Sequence, residues 1–267
     1  MGPGGPAARP AVVARLARAG CVAAEEEADE LLAAAGGDVP ALARMVRRRE
    51  RGEPLAWVTG TTRFAGQEVR VDEGVYVPRW QTEPLARRAA ELLPERGTAA
   101  DLCTGAGAVA LVLAGHRRAA RVVAADIDPA ACRCAAANGV DVYCGHLADP
   151  LPADVHGRCD VVTAVPPYVP HELVPYLPSD ARDHEPHRAL DGGPGGLAVL
   201  VEVVAAAAGL LRPGGTLLAE LGGDQDAALA GPLATAGFAL RERLVDGEGD
   251  LRGIAAVLAE AAAHRPT

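Results

Sequence analysis

From Arg87 onward, short apolar segments alternate with helical ones, and this order constrains the fold more than any other feature of the chain. Such an alternation predicts an open, mostly parallel sheet with helices on both faces, an α/β fold of the Rossmann-like kind. The predicted strands lie near TAADLCTG, ARVVAADI, VDVYCG, CDVVTAV, GGTLLAEL, ALRERLV and GIAAVLA. Because ligands of these sheets bind at the carboxyl ends of the strands, we expect a functional site there.

The first fifty residues or so follow a different pattern, rich in Ala, Leu, Arg and Glu with helical spacing of the apolar positions. Three such segments each end in Gly, and Asp38 is a suitable N-cap for the third. The chain then alternates polar and apolar residues and carries Gly at turn positions, which is typical of a β-hairpin. We therefore predict a small helical bundle over residues 1–53, a β-hairpin linker over 54–78 and a Rossmann-like domain over 79–267.

Composition excludes some partners. The 267-residue chain carries 26 basic residues, all of them Arg, against 35 acidic ones, for a net charge of −9. Binding to nucleic-acid phosphates needs clustered cations, so this balance argues against a nucleic-acid partner. No apolar run approaches the ~18 residues of a membrane-spanning helix, so we expect no membrane association.

The chain shows no secretion signal and no metal-binding spacing. The opening stretch MGPGGPAARP lacks the basic-then-apolar order of a signal peptide and is typical of a frayed leader. Six Cys in such a chain indicate reduced thiols in a cytoplasm, buried as small apolar residues. The spacing Cys132-x-Cys134 is wrong for zinc and no second pair accompanies it, so we predict a cytoplasmic protein without a metal site.

A strand, a glycine-bearing turn and a helix follow one another in DLCTGAGAVALVLA. Gly105 and Gly107 there allow the backbone to approach a ligand closely. The next predicted strand ends in Asp126, about twenty residues later, where an acidic side chain accepts hydrogen bonds from ribose hydroxyls. Asp126 is not needed as a helix N-cap, since Asp128 is placed for that role. These features predict a nucleoside site.

The glycine turn also indicates which nucleoside is bound. It lacks the full spacing of the dinucleotide fingerprint and the Lys of a phosphate-binding loop. A small uncharged or zwitterionic tail therefore suits the turn better than a pyrophosphate. This favours S-adenosylmethionine over NAD as the cofactor.

The predicted strand CDVVTAV ends abruptly at Pro166, Pro167 and Tyr168. Neither proline has an N–H to donate to a sheet, so the strand stops and a stiff corner presents Tyr168 at its carboxyl end. Tyr168 has two interpretations: it stacks on a planar acceptor group, or it anchors the loop with its hydroxyl in water.

Four segments, in this order and spacing, resemble the HemK/PrmC family of S-adenosylmethionine-dependent methyltransferases, which methylate a glutamine side-chain amide in peptide-chain release factors. GEPLAWVTGTTRFAGQEVRVDEGVYVPRWQTEPL is similar to the family's linker hairpin and proline-arginine segment, and DLCTGAGAVAL to its cofactor loop. HEPHRALDGGPGGL is similar to the segment after the corner, and LLAELGGDQ to the late strand. The resemblance covers nearly the whole chain.

The resemblance implies roles for particular residues. The loop from Cys103 to Gly107 is expected to surround the methionine part of the cofactor, Asp126 to hold the ribose, and Leu147 to lie near the adenine. The full set of implied cofactor-binding residues is Cys103, Thr104, Gly105, Ala106, Gly107, Asp126, Ile127, His146, Leu147 and Val165. The residues implied to shape the acceptor pocket are Val165, Pro166, Pro167 and Tyr168, and the implied partner is a release factor with its Gly-Gly-Gln loop.

The chain departs from the family pattern at three places. Val165 holds the place of the Asn in the family's Asn-Pro-Pro-Tyr corner, His146 replaces an Asp before the adenine contact, and Arg79-Trp80-Gln81 replaces arginine, proline and an acidic residue. An amide nitrogen is a poor nucleophile because its lone pair is delocalised. In the family, the corner Asn and the adjacent proline carbonyl grip the amide. Losing one such contact costs on the order of 3 kcal/mol of transition-state stabilisation.

The missing Asn leaves two hypotheses for the methyl acceptor. Either the protein modifies release factors with another residue gripping the amide, for which Gln81, Glu185 and Glu220 are candidates, or it acts on a small molecule or another protein. A general base for such an acceptor is sought among His171, Glu172, His184 and Glu185, although ordinary loop polarity also explains these residues.

Two further alternatives remain at this point. A nucleic-acid adenine methyltransferase can share a similar corner, but the net charge of −9 argues against it. A non-catalytic cofactor-binding protein would bind the nucleoside without methylating any acceptor.

Overall fold

The computed structural model describes residues 8–260, and three helices open this part of the chain. They are α1 (Arg9–Arg18), α2 (Ala24–Ala35) and α3 (Val39–Glu50). The three pack around Leu16, Leu31 and Val46, which are buried. The Asp38 carboxylate accepts a hydrogen bond from the backbone N–H of Ala41 at 3.0 Å, which confirms the predicted N-cap.

Most of the predicted leader lies outside the described residues, which begin at Ala8. The prediction was wrong for Arg9 and Pro10, which form the first turn of α1. Proline suits this position because its φ is already helical and the first-turn N–H groups have no partner within the helix. The division of the chain into three parts at residues 53 and 78 stays a prediction.

The predicted hairpin is present but starts later than expected. Its strands are β1 (Thr61–Phe64) and β2 (Gln67–Arg70), paired antiparallel. A short helix, α4 (Leu55–Thr59), precedes them where the alternating pattern predicts strand. Gly60 ends this helix with a φ of 85°, a conformation that glycine adopts without strain.

All seven predicted strands of the main sheet are confirmed. They are β3 (Thr98–Leu102), β4 (Arg121–Asp126), β5 (Val142–Cys144), β6 (Cys159–Ala164), β7 (Leu211–Glu220), β8 (Phe238–Val245) and β9 (Leu251–Leu258). The helices around them are α5 (Glu83–Leu92), α6 (Ala108–His116), α7 (Pro129–Ala137), α8 (Ser179–His184), α9 (Ala198–Leu210) and α10 (Gln225–Thr235). The fold is therefore the expected α/β arrangement.

The strand order of the sheet is β5-β4-β3-β6-β7-β9-β8. The strands from β5 to β7 pair in parallel, and β9 runs antiparallel to both β7 and β8. From β3 the chain moves outward to β4 and β5, then returns to β6 on the other side of β3. A crevice opens at such a reversal, outside the carboxyl ends of the strands.

The sheet is buried on both faces. Ala99 and Val161 point to a hydrophobic cluster that includes residues of α5 and α6, whereas their neighbours Ala100 and Val162 point to a cluster that includes residues of α9 and α10. This alternation follows from the two-residue period of a strand. The core is made mainly of Ala, Val and Leu, so the sheet is a rigid platform for the loops at its carboxyl edge.

Three further predictions concern membrane-spanning helices, metal sites and the burial of the cysteines. None of the helices within residues 8–260 has the length and apolar character needed to cross a membrane. No group of three or more His, Cys, Asp or Glu side chains in the same range is placed to hold a metal ion. Cys132, Cys134 and Cys159 are buried as predicted, but Cys144, at the end of β5, is exposed.

Candidate active site

A cavity of about 300 Å³ lies at the carboxyl ends of β3, β4 and β6, where the strand order reverses. The predicted cofactor residues that line it are Cys103, Gly105, Asp126, Ile127, His146, Leu147 and Val165. Thr104 and Ala106 line a smaller cavity beside it, which shares Cys103, Gly105 and Val165 with the first. Gly107 lines neither of the two.

The loop after β3 turns sharply to face the cavity. Cys103 has a φ of 54°, which is unusual for a residue with a side chain and is typical of strained functional loops. A side chain at Gly105 would meet no atom within 4 Å, so this glycine leaves open space on the cavity side. A Cβ at Gly107 would lie 2.7 Å from the Val140 side chain, so its absence lets the loop pack against the chain beyond α7. The predicted contact of Gly107 with the cofactor stays a prediction.

The Cys103 thiol lies among these cavity residues without being a nucleophile. Burial raises its pKa, and the neighbouring carboxylates of Asp126 and Asp101 raise it further. The sulfur therefore stays protonated at neutral pH. A neutral thiol does not compete with an acceptor for a transferable group.

Asp126 is fixed at the end of β4 by two backbone hydrogen bonds. Its Oδ2 accepts from the N–H of Gly105 at 2.8 Å, and its Oδ1 accepts from the N–H of Asp128 at 2.8 Å. Asp128 in turn caps α7 by accepting from Ala130, as predicted. Each oxygen of Asp126 retains a further lone pair, so the carboxylate can accept two more hydrogen bonds from a ligand in the cavity.

The far end of the cavity is apolar. Leu147 is buried with a φ of 44°, and Ile127 is 56% exposed although its side chain is apolar. His146, which replaces an Asp of the family pattern, pairs at the surface with Glu202 at 3.0 Å. Both apolar side chains line the cavity and suit the faces of a flat aromatic ring such as adenine.

Asp101 is a cavity residue that the sequence reasoning missed. It lies in β3, is 1% exposed, and lines the smaller cavity. It accepts hydrogen bonds from the hydroxyls of Thr104 at 2.5 Å and Thr163 at 2.6 Å. Burial raises the pKa of Asp101 to about 6. An acidic residue in an otherwise apolar strand, just before the glycine turn, was the signal that could have identified it.

The proline corner forms the wall next to the cofactor loop. Val165 lines both cavities and Pro167 lines the larger one, whereas Pro166 is buried and lines neither. The Tyr168 hydroxyl donates to Glu220 Oε1 at 2.9 Å. The interpretation that placed this hydroxyl in water was therefore wrong, and burial raises the pKa of both Tyr168 and Glu220.

Tyr76 is a second residue that the prediction missed, and like Val165 it lines both cavities. The Arg79 guanidinium lies 5.2 Å from the centre of its ring. Arg79 also forms an ion pair with Glu185, whose side chain is 1% exposed. The segment GVYVPR carries both residues and belongs to the stretch that resembles the family, which was the signal available for them.

Within residues 8–260, neither cavity is lined by any of the four residues considered as general bases. His171 is exposed and pairs with Asp191 at 2.6 Å, and Glu172 is also exposed. His184 packs edge-on against Trp57. Glu185 is held by Arg79, so this group supplies no base at the cavity.

Relatives of the chain were found by comparison of sequences. It is 41% identical over 191 residues to the release factor glutamine methyltransferase of Moorella thermoacetica, covering 69% of this chain and 67% of that one. It is 42% identical over 188 residues to the enzyme of the same name from Mycolicibacterium smegmatis, covering 67% and 66%. The chain belongs to the HemK/PrmC family. It is accordingly a methyltransferase of the S-adenosylmethionine-dependent kind.

Two further comparisons concern a relative that is named for another methyl acceptor and a solved structure of similar fold. A 4-amino-L-phenylalanine/4-methylamino-L-phenylalanine methyltransferase of Streptomyces pristinaespiralis is 37% identical over 221 residues, covering 79% of this chain and 74% of that one. A proposed transferase of Pyrococcus horikoshii has a solved structure that matches with a TM-score of 0.52 and 11% identity, covering 75% and 72%, which shows the fold alone. No family model matches the chain.

The cavity fits the cofactor of the family. Its volume of about 300 Å³ is at the lower end of ordinary ligand sites. The cavity is lined by a carboxylate with free lone pairs at Asp126, by the apolar side chain of Leu147, and by Gly105, a glycine that leaves open space. Ribose, adenine and an amino-acid tail match these three features in order.

Proposed function

We propose that this protein transfers the methyl group of S-adenosylmethionine to the side-chain amide nitrogen of a glutamine in a peptide-chain release factor. The observation that carries the proposal is identity of about 40% with release factor glutamine methyltransferases over two thirds of the chain. The matched cofactor cavity and the proline corner support it.

The cofactor supplies an electrophilic methyl group on a positively charged sulfur, and the chain's own residues hold and orient it. In this proposal Asp126 binds the two ribose hydroxyls, Ile127 and Leu147 enclose the adenine, and the loop from Cys103 to Gly107 surrounds the methionine part. A fixed carboxylate is well suited to the ribose because its two backbone hydrogen bonds already set its orientation.

The acceptor amide enters on the side of Val165 and Tyr76. Methyl transfer is an in-line displacement, so its rate depends on aiming the nitrogen lone pair at the methyl group. Backbone carbonyls of the corner accept the amide N–H groups and stabilise the positive charge that develops on nitrogen, which then releases one proton to water to give the neutral N-methyl amide. Val165 contributes its carbonyl and an apolar side chain, and the ring of Tyr76 forms another part of the wall.

The alternative, a diverged enzyme acting on a small molecule or another protein, is not favoured by these relatives. One relative is named for an aromatic amino acid, but several at 34–42% identity are named for release factors. None of the four residues considered as general bases lines either cavity, which also fits an acceptor whose N–H groups are gripped by carbonyls.

A direct assay tests the proposal. The purified protein is incubated with cofactor carrying a labelled methyl group and a release factor with its Gly-Gly-Gln loop, and the modified residue is located by mass spectrometry. We expect label on the glutamine of that loop and none on a release factor whose glutamine is changed to alanine. Cofactor binding without label on the glutamine would disprove the proposal.

A further inference from the structure

A buried amide joins three segments behind the proline corner. Gln225, the first residue of α10, is 6% exposed. Its Nε2 donates to the carbonyls of Tyr168 at 2.8 Å and Gly195 at 3.0 Å, and its Oε1 accepts from the N–H of Gly222 at 3.0 Å. Both donors of the amide are therefore used on backbone carbonyls, and one of these belongs to the corner.

The glycine segment of residues 192–196 fixes the corner from the same side. A Cβ on Gly196 would lie 2.0 Å from the Tyr168 carbonyl oxygen, and one on Gly192 would lie 2.7 Å from that of Pro167. The carbonyls of Pro167 and Tyr168 therefore face the glycine segment. Within the same corner, Val165 lines both cavities and Pro167 lines the larger one, so the backbone held in this way borders the cavity.

The identity of residue 165 makes this support more important. A valine side chain offers no hydrogen bond to the acceptor, so the grip on the amide depends on backbone carbonyls of the corner. Backbone groups cannot adjust by rotating a side chain. A displacement of about 1 Å is enough to slow such a reaction by roughly a hundredfold.

We propose that Gln225 is a positioning residue for methyl transfer: by bonding the Tyr168 carbonyl it holds the corner, and with it the backbone at Val165 that faces the acceptor amide. This inference rests on the proposed function. Gln225 lines neither cavity, so it acts through Tyr168 and not on the cofactor.

The chain offers a matched control at the other end of the cavity. The Asn138 amide donates to the carbonyls of Arg70 at 2.9 Å and Ala106 at 2.8 Å, and it accepts from the N–H of Arg70 at 3.0 Å. It therefore ties the hairpin to the cofactor loop with the same set of bonds that Gln225 uses at the corner. Loss of Asn138 should weaken cofactor binding and leave the corner in place.

The experiment compares Gln225→Met, Gln225→Glu and Asn138→Asp in the full chain. For both Gln225 variants at pH 8 we expect kcat on the release factor to fall by about tenfold or more, with S-adenosylhomocysteine affinity within about twofold of the original. Asn138→Asp should show the reverse order of effects, with a larger loss of S-adenosylhomocysteine binding and, at saturating cofactor, a smaller fall in kcat than the Gln225 variants. An unchanged kcat in Gln225→Met would overturn the proposal, as would a loss that matches the loss of cofactor affinity.

The pH profile of Gln225→Glu separates positioning from general destabilisation. An ionised carboxylate repels the carbonyls of Tyr168 and Gly195, whereas a protonated one donates to one of them. Activity relative to the original protein should therefore recover as the pH falls from 8 toward 5.5. A constant ratio over this range would count against the proposal, even if Gln225→Met were too unstable to assay.

Hydrogen exchange tests the same inference without an acceptor. The N–H groups of Val169 and His171 bond the carbonyls of Leu190 and Gly193 at 3.1 and 3.0 Å. We expect these two amides to exchange about tenfold faster in Gln225→Met and at the original rate in Asn138→Asp. Unchanged exchange would overturn the inference, whereas failure of the original protein to label a release factor would overturn only the proposed function.

Discussion

The two ends of the cavity are assembled from the chain in different ways. Around Asp126, which we propose holds the cofactor, the hydrogen bonds that orient the carboxylate join residues close in sequence: Gly105 to Asp126 spans 21 positions and Asp128 to Asp126 spans 2. At the acceptor end, the bond of Tyr168 with Glu220 spans 52 positions, and that of Arg79 with Glu185 spans 106.

This difference explains how one end can change while the other stays the same. A substitution in any of several distant segments alters the acceptor end, whereas the Asp126 carboxylate is oriented by bonds within the stretch from Gly105 to Asp128. Val165 is such a substitution, and it leaves both backbone bonds of Asp126 in place. Cofactor affinity and acceptor reactivity should therefore be separable by mutation.

The largest effect is expected at the cofactor end. Asp126→Ala removes the carboxylate that accepts two hydrogen bonds from the ribose hydroxyls, which lowers affinity for S-adenosylhomocysteine by about 100-fold, or roughly 3 kcal/mol. Isothermal titration calorimetry measures this change.

Asp160→Ala is the control for that variant. Asp160 also accepts a backbone hydrogen bond, from Thr98 at 2.9 Å, but it lies at the amino end of β6, away from the cavity. Equal losses of affinity in the two variants would show that Asp126 acts through folding and not through the ribose.

Tyr168→Phe tests whether the acceptor end is held by long-range bonds. The change leaves Glu220, which is 2% exposed, without the hydroxyl that bonds its Oε1. An unpaired buried acceptor costs about 2 kcal/mol, so we expect chemical denaturation to show a loss of that size with cofactor affinity unchanged. A variant as stable as the original would mean that Glu220 is protonated or finds another partner.

Much of the cofactor end was predictable because its chemistry follows local rules. A glycine turn after one apolar strand and a carboxylate at the end of the next are visible in the sequence, and parallel strands bring the two together. The structure places Gly105 and Asp126 2.8 Å apart, from backbone nitrogen to carboxylate oxygen. The strands themselves were predicted for the same reason, since short apolar runs between helices allow few other folds.

The acceptor end was harder to predict from the sequence because its contacts depend on packing. His171 and Glu172 follow the corner in sequence, yet they lie on the surface. Tyr76 and Gln225 are far from the corner in sequence, yet one lines the cavity and the other bonds the Tyr168 carbonyl. No local pattern distinguishes a glutamine that will be buried behind a loop from one that will face water.

Val165→Asn tests whether a single residue can restore a side-chain hydrogen bond to the acceptor amide. An amide at this position offers the acceptor a hydrogen-bonding partner that valine lacks, so kcat/KM for the release factor should rise by about tenfold. Val165→Ala, which changes size without adding a polar group, should show no such gain. If Val165→Asn brings no increase, the grip on the amide already comes wholly from the backbone that Gln225 supports.

The smallest effect concerns the charge buried behind Tyr76. Burial raises the pKa of Glu185 to about 7, against the lowering by Arg79. The folded protein therefore binds a proton here at a higher pH than the unfolded chain, whose glutamates titrate near 4.5. This group makes the fold less stable as the pH rises from about 4.5 to 7, and its contribution is constant above that.

Glu185→Gln removes the titrating carboxyl and should therefore remove its contribution to the pH dependence of stability. Relative to the original protein, the variant should gain about 1 kcal/mol of unfolding free energy between pH 5 and pH 8, because only the original must ionise a buried carboxyl. Glu50→Gln is the control: a hydrogen bond from Arg15 lowers the pKa of Glu50, so its contribution changes only at more acidic pH. Chemical denaturation at both pH values measures the difference. If the unfolding free energies of Glu185→Gln and the original protein change in parallel with pH, Arg79 keeps Glu185 ionised throughout. The acceptor end would then carry a permanent ion pair beside Tyr76.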